Sequence, residues 1–176
     1  VFACADLSLR HLEALVRMVD RSALNQVIMP GSFIPVAEKT GKILDIDRWV
    51  IAASVRTLAR HPQIRAIALN ISGRSLSEPT LPQFITDQLR EHAVRPSRLV
   101  VELTETSAVS DLHDAQRLIE ALRGAGCRVC LDDFGSGFSS FTYLKHLDVD
   151  MVKIDGQFYE IADAPAASYW HAIFTG

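Results

Sequence analysis

Four short apolar runs in this sequence each carry a side chain able to hold a metal or a proton at or near their end. They are Ile64 to Ile71 with Asn70, Leu99 to Leu103 with Glu102, Arg128 to Leu131 followed by Asp132 and Asp133, and Met151 to Ile154 with Lys153. Runs of this length, apolar on consecutive positions, predict strands covered on both faces. Between them the period changes. Asp45 to Arg60 brings Ile46, Trp49, Val50, Ala53 and Leu58 round at mostly helical spacing and predicts an amphipathic helix, stopped by His61 and Pro62. Leu81 to His92 predicts a second helix, with Pro96 closing the connection. Asp111 to Ala125 predicts a third, with Leu118, Ile119 and Leu122 inward and Gly126 just past its end. Ser139 to Leu147 predicts a further helical stretch, so strand and helix alternate with no repeat, low-complexity tract or linker.

Alternation of this kind implies right-handed parallel crossovers and one sheet whose strand ends share a rim. Carboxylates are costly to bury unless paired or coordinated, so their recurrence at strand ends points to an active site rather than to packing. Functional groups converging from several strands favour a (β/α) barrel. A doubly wound open sheet would place a glycine-rich phosphate loop after its first strand, and none is present. A complete barrel of this type runs to roughly 250 residues, and the chain has 176.

Composition adds limits. At 48% apolar and 22% charged residues, the chain suits one compact domain with a core. A formal net charge of −3 offers no broad attraction to a nucleic-acid polymer or an anionic membrane, so an anionic ligand must be drawn by a metal or a few placed cations. No run approaches the roughly 18 apolar residues of a membrane span, and no basic segment leads into an apolar one at the N-terminus. Cys4, Cys127 and Cys130 sit in apolar surroundings and predict reduced core thiols; C-x-x-C lacks a second pair for zinc. The six histidines form no i, i+4 pair, which disfavours zinc hydrolase chemistry.

Asp132 and Asp133 can serve one site only if the strand ends there, because neighbouring side chains on a regular strand point to opposite faces. Gly135 and Gly137 in D-D-F-G-S-G supply the expected break. Glu102 belongs to a strand and Glu105 to the loop beyond it, the first a candidate ligand and the second an orienting carboxylate. Asn70 offers a neutral carbonyl oxygen, and Lys153 in an apolar strand must be paired, either with these carboxylates or with Asp155. Together they describe an oxygen-rich site for hard divalent cations beside a lysine, and two such ions suit the hydrolysis of phosphate esters.

The ordered motifs closely resemble the EAL-domain family of cyclic di-GMP phosphodiesterases. They are E-A-L-V-R at Glu13 to Arg17, F-I-P-V-A-E at Phe33 to Glu38, N-I-S at Asn70, E-L-T-E at Glu102, D-D-F-G-S-G-F-S-S at Asp132 and K-I-D at Lys153. The resemblance implies a modified TIM-like (β/α) barrel in the α/β class, and hydrolysis of cyclic di-GMP to linear pGpG with Mg²⁺ or Mn²⁺ at a two-metal site. By matching position, Glu13, Asn70, Glu102 and Asp132 would hold one metal, and Asp132 with Asp133 would reach the second. Lys153 would act on the attacking water, Glu105 would brace the loop after Asp133, and Arg17, with Leu15 beside it, would contact the nucleotide.

Two departures shape the expectations. Phe2-Ala3-Cys4-Ala5 stands where the family opens with Q-P-I, and the family's later E-G-V-E and Q-G have no counterpart before Gly176. Residues 1–176 are therefore expected to form a single EAL-like domain lacking the family's C-terminal portion, with Tyr169 and Trp170 covering a barrel edge or pairing with another chain as a homodimer. A bacterial cytoplasmic setting with sensory or GGDEF-type domains in a longer protein follows from the same resemblance. The competing expectations are a nonhydrolytic cyclic di-GMP receptor, an inactive truncated domain, or a phosphoesterase for another nucleotide.

Overall fold

The computed structural model describes residues 11–22, 24–135 and 143–155. Within them five strands form one parallel sheet: β1 (Leu12–Ala14), β4 (Ile67–Asn70), β5 (Leu99–Thr104), β6 (Arg128–Phe134) and β7 (Met151–Ile154). Their spatial order follows the chain without reversal, as in a barrel and unlike a doubly wound sheet with its switch point. This is an arc of the TIM-like barrel that the motifs imply. Between β1 and β4 lie an antiparallel hairpin of β2 (Met18–Asp20) and β3 (Gln26–Ile28), helix α1 (Pro30–Thr40) and helix α2 (Ile43–Arg60). Helix α3 (Leu81–Glu91) joins β4 to β5; α4 (Glu105–Ser110) and α5 (Leu112–Gly124) join β5 to β6.

The alternation of side chains along each strand sorts the interior. Odd positions of the central strands (Ile67, Leu69, Leu99, Val101, Leu103, Val129 and Leu131) meet the apolar stripes of α2, α3 and α5 in one continuous core. Even positions form the opposite face. There Ala66, Ala68, Val100 and Cys130, with Met151, make a floor of small side chains below the carboxyl ends of the strands. Cys127 and Cys130 are both free and buried, as expected of core thiols, and burial pushes them up to about 11 and about 12.

Several expectations require correction. The strand expected from Ile64 starts at Ile67. The buried stripe of α2 runs through Ile43, Asp47, Val50, Ile51, Ser54, Val55 and Leu58, while Trp49, placed on the apolar face by spacing, is 60% exposed. Two polar residues inside the stripe disguise its centre. The alternation read from Asp45 onward holds, and ahead of it lie the hairpin and α1. The strand at Arg128 continues through both aspartates to Phe134, and the break is a bulge within it, with Asp133 itself at φ +56°. A bulge re-aims one side chain without ending the ladder, which resumes at Phe134 and Ile154. Of the expected Ser139 to Leu147 helix, a 3₁₀ turn at Leu144–His146 is seen. Residues 139–142, Gly137, Cys4, the stretch Phe2 to Ala5 and the tail with Tyr169 and Trp170 lie outside the described residues.

Candidate functional site

The carboxyl ends of the parallel strands bring five chemically active side chains to one place. Glu13 sits in β1 opposite Ala68, and Asn70 and Glu102 are register partners at the ends of β4 and within β5. Asp132 pairs with Thr104 across β5 and β6, and Lys153 comes from β7. One carboxylate oxygen each from Glu13, Glu102 and Asp132 lies within 4.8 Å of the others. The Lys153 ammonium donates to Glu102 Oε2 at 2.6 Å and to Asp132 Oδ2 at 3.2 Å, and stands 3.6 Å from Glu13 Oε2. Among the described residues its ion-pair partners are these three acids, rather than the Asp155 that the sequence offered as an alternative.

Charge is unbalanced here. Three carboxylates share one ammonium, and Glu102 is fully buried with Oε1 lacking any hydrogen-bond partner among the described residues. Burial raises the Glu102 carboxyl above its ordinary range, opposed by the Lys153 bond and charge. Lys153 moves the other way from what its burial alone would do. Desolvation would lower it, but the Glu102 hydrogen bond and the charges of Glu102, Asp132 and Glu13 outweigh that and raise it, so the ammonium stays charged. An orphaned buried carboxylate oxygen, excess negative charge and an all-oxygen donor set fit a hard divalent cation. No histidine or cysteine joins the cluster among the described residues.

The remaining expected residues fall around this centre. Asn70 Nδ2 donates to Glu13 Oε1 at 3.0 Å, which commits the amide nitrogen and leaves Oδ1 as the side chain's acceptor. Asp133 stands outside the 4.8 Å cluster; burial and the charge of Asp132 raise its carboxyl, and its backbone N–H donates to Asp132 Oδ1 at 3.0 Å. Glu105 is not a solvated loop residue: it opens α4 and is buried at 5% exposure. Its Oε2 accepts the Gly135 N–H at 2.8 Å and its Oε1 accepts the Tyr143 hydroxyl, so one carboxylate ties together both sides of the segment that follows Asp133. Leu15, at 59% exposure, and Arg17, whose guanidinium donates to the Val16 carbonyl at 2.8 Å, lie exposed just past β1.

Residue-level reasoning missed a polar cluster beneath Asn70. Ser72 is held by Asp47 of α2 and Glu38 of α1, and Ser75 Oγ donates to the same Asp47 oxygen at 2.6 Å. The available signal was the pair of strings F-I-P-V-A-E and N-I-S, whose last residues, Glu38 and Ser72, meet at 2.9 Å. A buried aspartate inside an amphipathic helix left no periodic trace.

A profile of the EAL domain matches residues 1–174. Signaling protein YkoW of Bacillus subtilis is 36% identical over 151 residues, covering 84% of this chain and 19% of YkoW. Cyclic di-GMP phosphodiesterase PdeF of Escherichia coli is 33% identical over 150 residues, covering 83% of this chain and 20% of PdeF. Among solved structures, the PaMucR phosphodiesterase in complex with c-di-GMP superposes with a TM-score of 0.80 at 32% identity, over 94% of this chain and 68% of that one. The FimX EAL domain from Pseudomonas aeruginosa bound to c-di-GMP gives 0.77 at 32% identity, over 83% and 59%. The chain spans about a fifth of the length of these curated relatives.

Proposed function

Because the chain belongs to the EAL-domain family, we propose that it is a metal-dependent phosphodiesterase that opens cyclic di-GMP to linear pGpG. The observation that carries this is the buried, unpartnered Glu102 Oε1 beside Glu13, Asp132 and the Lys153 ammonium. Matched relatives named as cyclic di-GMP phosphodiesterases support the substrate. In this proposal Glu13, Asn70, Glu102 and Asp132 hold one divalent ion, Mg²⁺ or Mn²⁺, and Asp132 with Asp133 reaches a second. When bound, such ions polarise water and hold phosphoryl oxygens.

The protein's own groups divide the remaining work. Lys153, held among its three acids, stands where it can act on the attacking water or on charge developing on the phosphoryl group. Arg17, exposed on the rim, grips a substrate phosphate, and Leu15 gives the nucleotide an apolar surface. Glu105 braces the strand end that carries Asp133. The water oxygen bonds to phosphorus, the bond from phosphorus to the ribose 3′ oxygen breaks, and the proton that the water gives up is balanced by the one the 3′ oxygen takes. The products are one 5′-phosphate end and one 3′-hydroxyl. A nonhydrolytic receptor would have no use for a charge-excess acid cluster around a lysine.

The same proposal makes the chain one domain of a longer bacterial signalling protein, acting on the cytoplasmic side, with sensory or GGDEF-type neighbours and a homodimeric assembly. A matched relative named as a bifunctional diguanylate cyclase and phosphodiesterase supports that setting. Among the described residues no helix is long and apolar enough to cross a membrane. The test is incubation with cyclic di-GMP and Mg²⁺ or Mn²⁺, with nucleotides resolved by chromatography. Formation of pGpG that disappears in Glu13→Ala supports the proposal; bound but unhydrolysed nucleotide would replace it with a receptor.

A further inference from the structure

Asn70 is the one neutral ligand in the proposed metal set; it ends β4, in register with Glu102, and the turn that follows it is anchored separately. Ile71 N–H donates to the Glu102 carbonyl at 3.1 Å, tying that turn to β5. Ser72 is then held twice. Its backbone N–H donates to Asp47 Oδ2 at 3.1 Å, and its hydroxyl donates to Glu38 Oε1 at 2.9 Å. The two carboxylates come from different helices, α1 and α2, which share no register with the sheet. Asp47 is 5% exposed and has no cation bonded to it among the described residues. A carboxylate in that position carries a desolvation cost that a smaller neutral residue would avoid. What it provides is a fixed acceptor for the peptide N–H two residues beyond Asn70 and for the Ser75 hydroxyl.

We propose that Asp47 and Glu38 are positioning residues of the active site, which set the Asn70 amide toward the metal by clamping Ser72 from two helices. The proposal rests on reading the acid cluster as a metal site. Groups that orient a ligand without touching the ion commonly alter metal affinity by about 10- to 100-fold when removed. Because Asp47 acts through two intervening backbone units, the lower end of that range is expected.

The test is Mn²⁺ binding by calorimetry on the whole chain, for wild type, Asp47→Ala and Asp47→Asn, with folding checked by circular dichroism. Asp47→Ala removes the acceptor and is expected to weaken Mn²⁺ about 10-fold. Asp47→Asn keeps an oxygen for the Ser72 N–H and is expected to stay within about twofold of wild type, a rescue that a general packing role would not produce. Ser72→Ala deletes the hydroxyl bond to Glu38 alone and carries the same test if Asp47→Ala does not fold, with an expected loss of about threefold. A folded Asp47→Ala, or Ser72→Ala in its place, that binds Mn²⁺ like wild type overturns the proposal. A second readout needs no metal: the Asn70 side-chain amide, bonded to Glu13 in the wild type, should shift and exchange faster in Asp47→Ala by NMR. If wild type binds no Mn²⁺ while this amide responds as expected, the metal reading falls and the clamp stands. If wild type binds Mn²⁺ but leaves cyclic di-GMP intact, the phosphodiesterase reading alone falls.

Discussion

Replacing Asp47 by asparagine should stabilise this protein at neutral pH and do so less in acid. Burial, only partly offset by the bonds from Ser75 and Ser72, raises the Asp47 carboxyl from 3.8 to about 6. Between these values the folded chain holds a proton that the unfolded chain has released, so stability falls as pH rises through the window and levels off above about 6. At 1.36 kcal/mol per unit, the ionised side chain costs the folded state about 3 kcal/mol at pH 7.5 and about 1 kcal/mol at pH 4.5. Asparagine has no such charge, and its amide can still accept the Ser72 N–H. Urea unfolding of both proteins at the two pH values gives the comparison, with the slope confirming that the same surface is exposed. The stability gap in favour of Asp47→Asn should widen by about 2 kcal/mol from pH 4.5 to 7.5. A gap that does not change with pH, or a variant less stable than wild type at pH 7.5, would refute the reasoning and show the charged hydrogen bonds to outweigh desolvation.

Three further outcomes follow from the geometry. Lys153→Met strands Glu102 among like charges and should cost about 3 kcal/mol at pH 7.5, with a smaller loss in acid because burial raises the Glu102 carboxyl; thermal unfolding across pH checks both the size and the sign. Gly73→Ala places a Cβ 2.8 Å from Ser107 Oγ and 3.0 Å from Ser107 Cβ, an overpacking worth about 1–2 kcal/mol; Ser107→Ala on the same chain should recover part of it, and a double-mutant cycle measures the coupling. Arg17→Ala should raise KM for cyclic di-GMP about 10-fold or more with kcat changed only a few-fold, since the residue is proposed to hold a phosphate away from the breaking bond; steady-state kinetics separates the two.

The central strands were legible because they are covered on both faces and so read as unbroken apolar runs, and the groups at their ends stood out as misfits there. Asn70, Glu102, Asp132 and Lys153 meet as their strand positions suggested. The first third of the fold was opaque to pattern. Leu12, Val19 and Val27 are exposed apolar residues on three-residue strands, so neither alternation nor continuity develops. Helix α1 contains Pro35 beyond its first turn, a residue that argues against helix in any local scheme. Glu13 was found only through the family motif, because nothing around it marks a strand. At Asp132 and Asp133 the sequence showed that a break was needed, and glycine was the natural candidate. The structure places a left-handed conformation on Gly135 and also on Asp133, aspartate being one of the few residue types that tolerate it.

The acid cluster also has a bearing on how the chain assembles. Glu13 and Lys153 come from the two edge strands of the described sheet, 140 positions apart, and stand 3.6 Å from each other. Their meeting closes that whole span into one loop, the slowest class of contact to form. A chain emerging from the ribosome would build β4 and β5 with their helices first, and would hold an isolated Glu102 until β7 delivers its lysine. Pairing of the buried Glu102 with its lysine is therefore a late folding event, and it marks the completion of the sheet rather than its start.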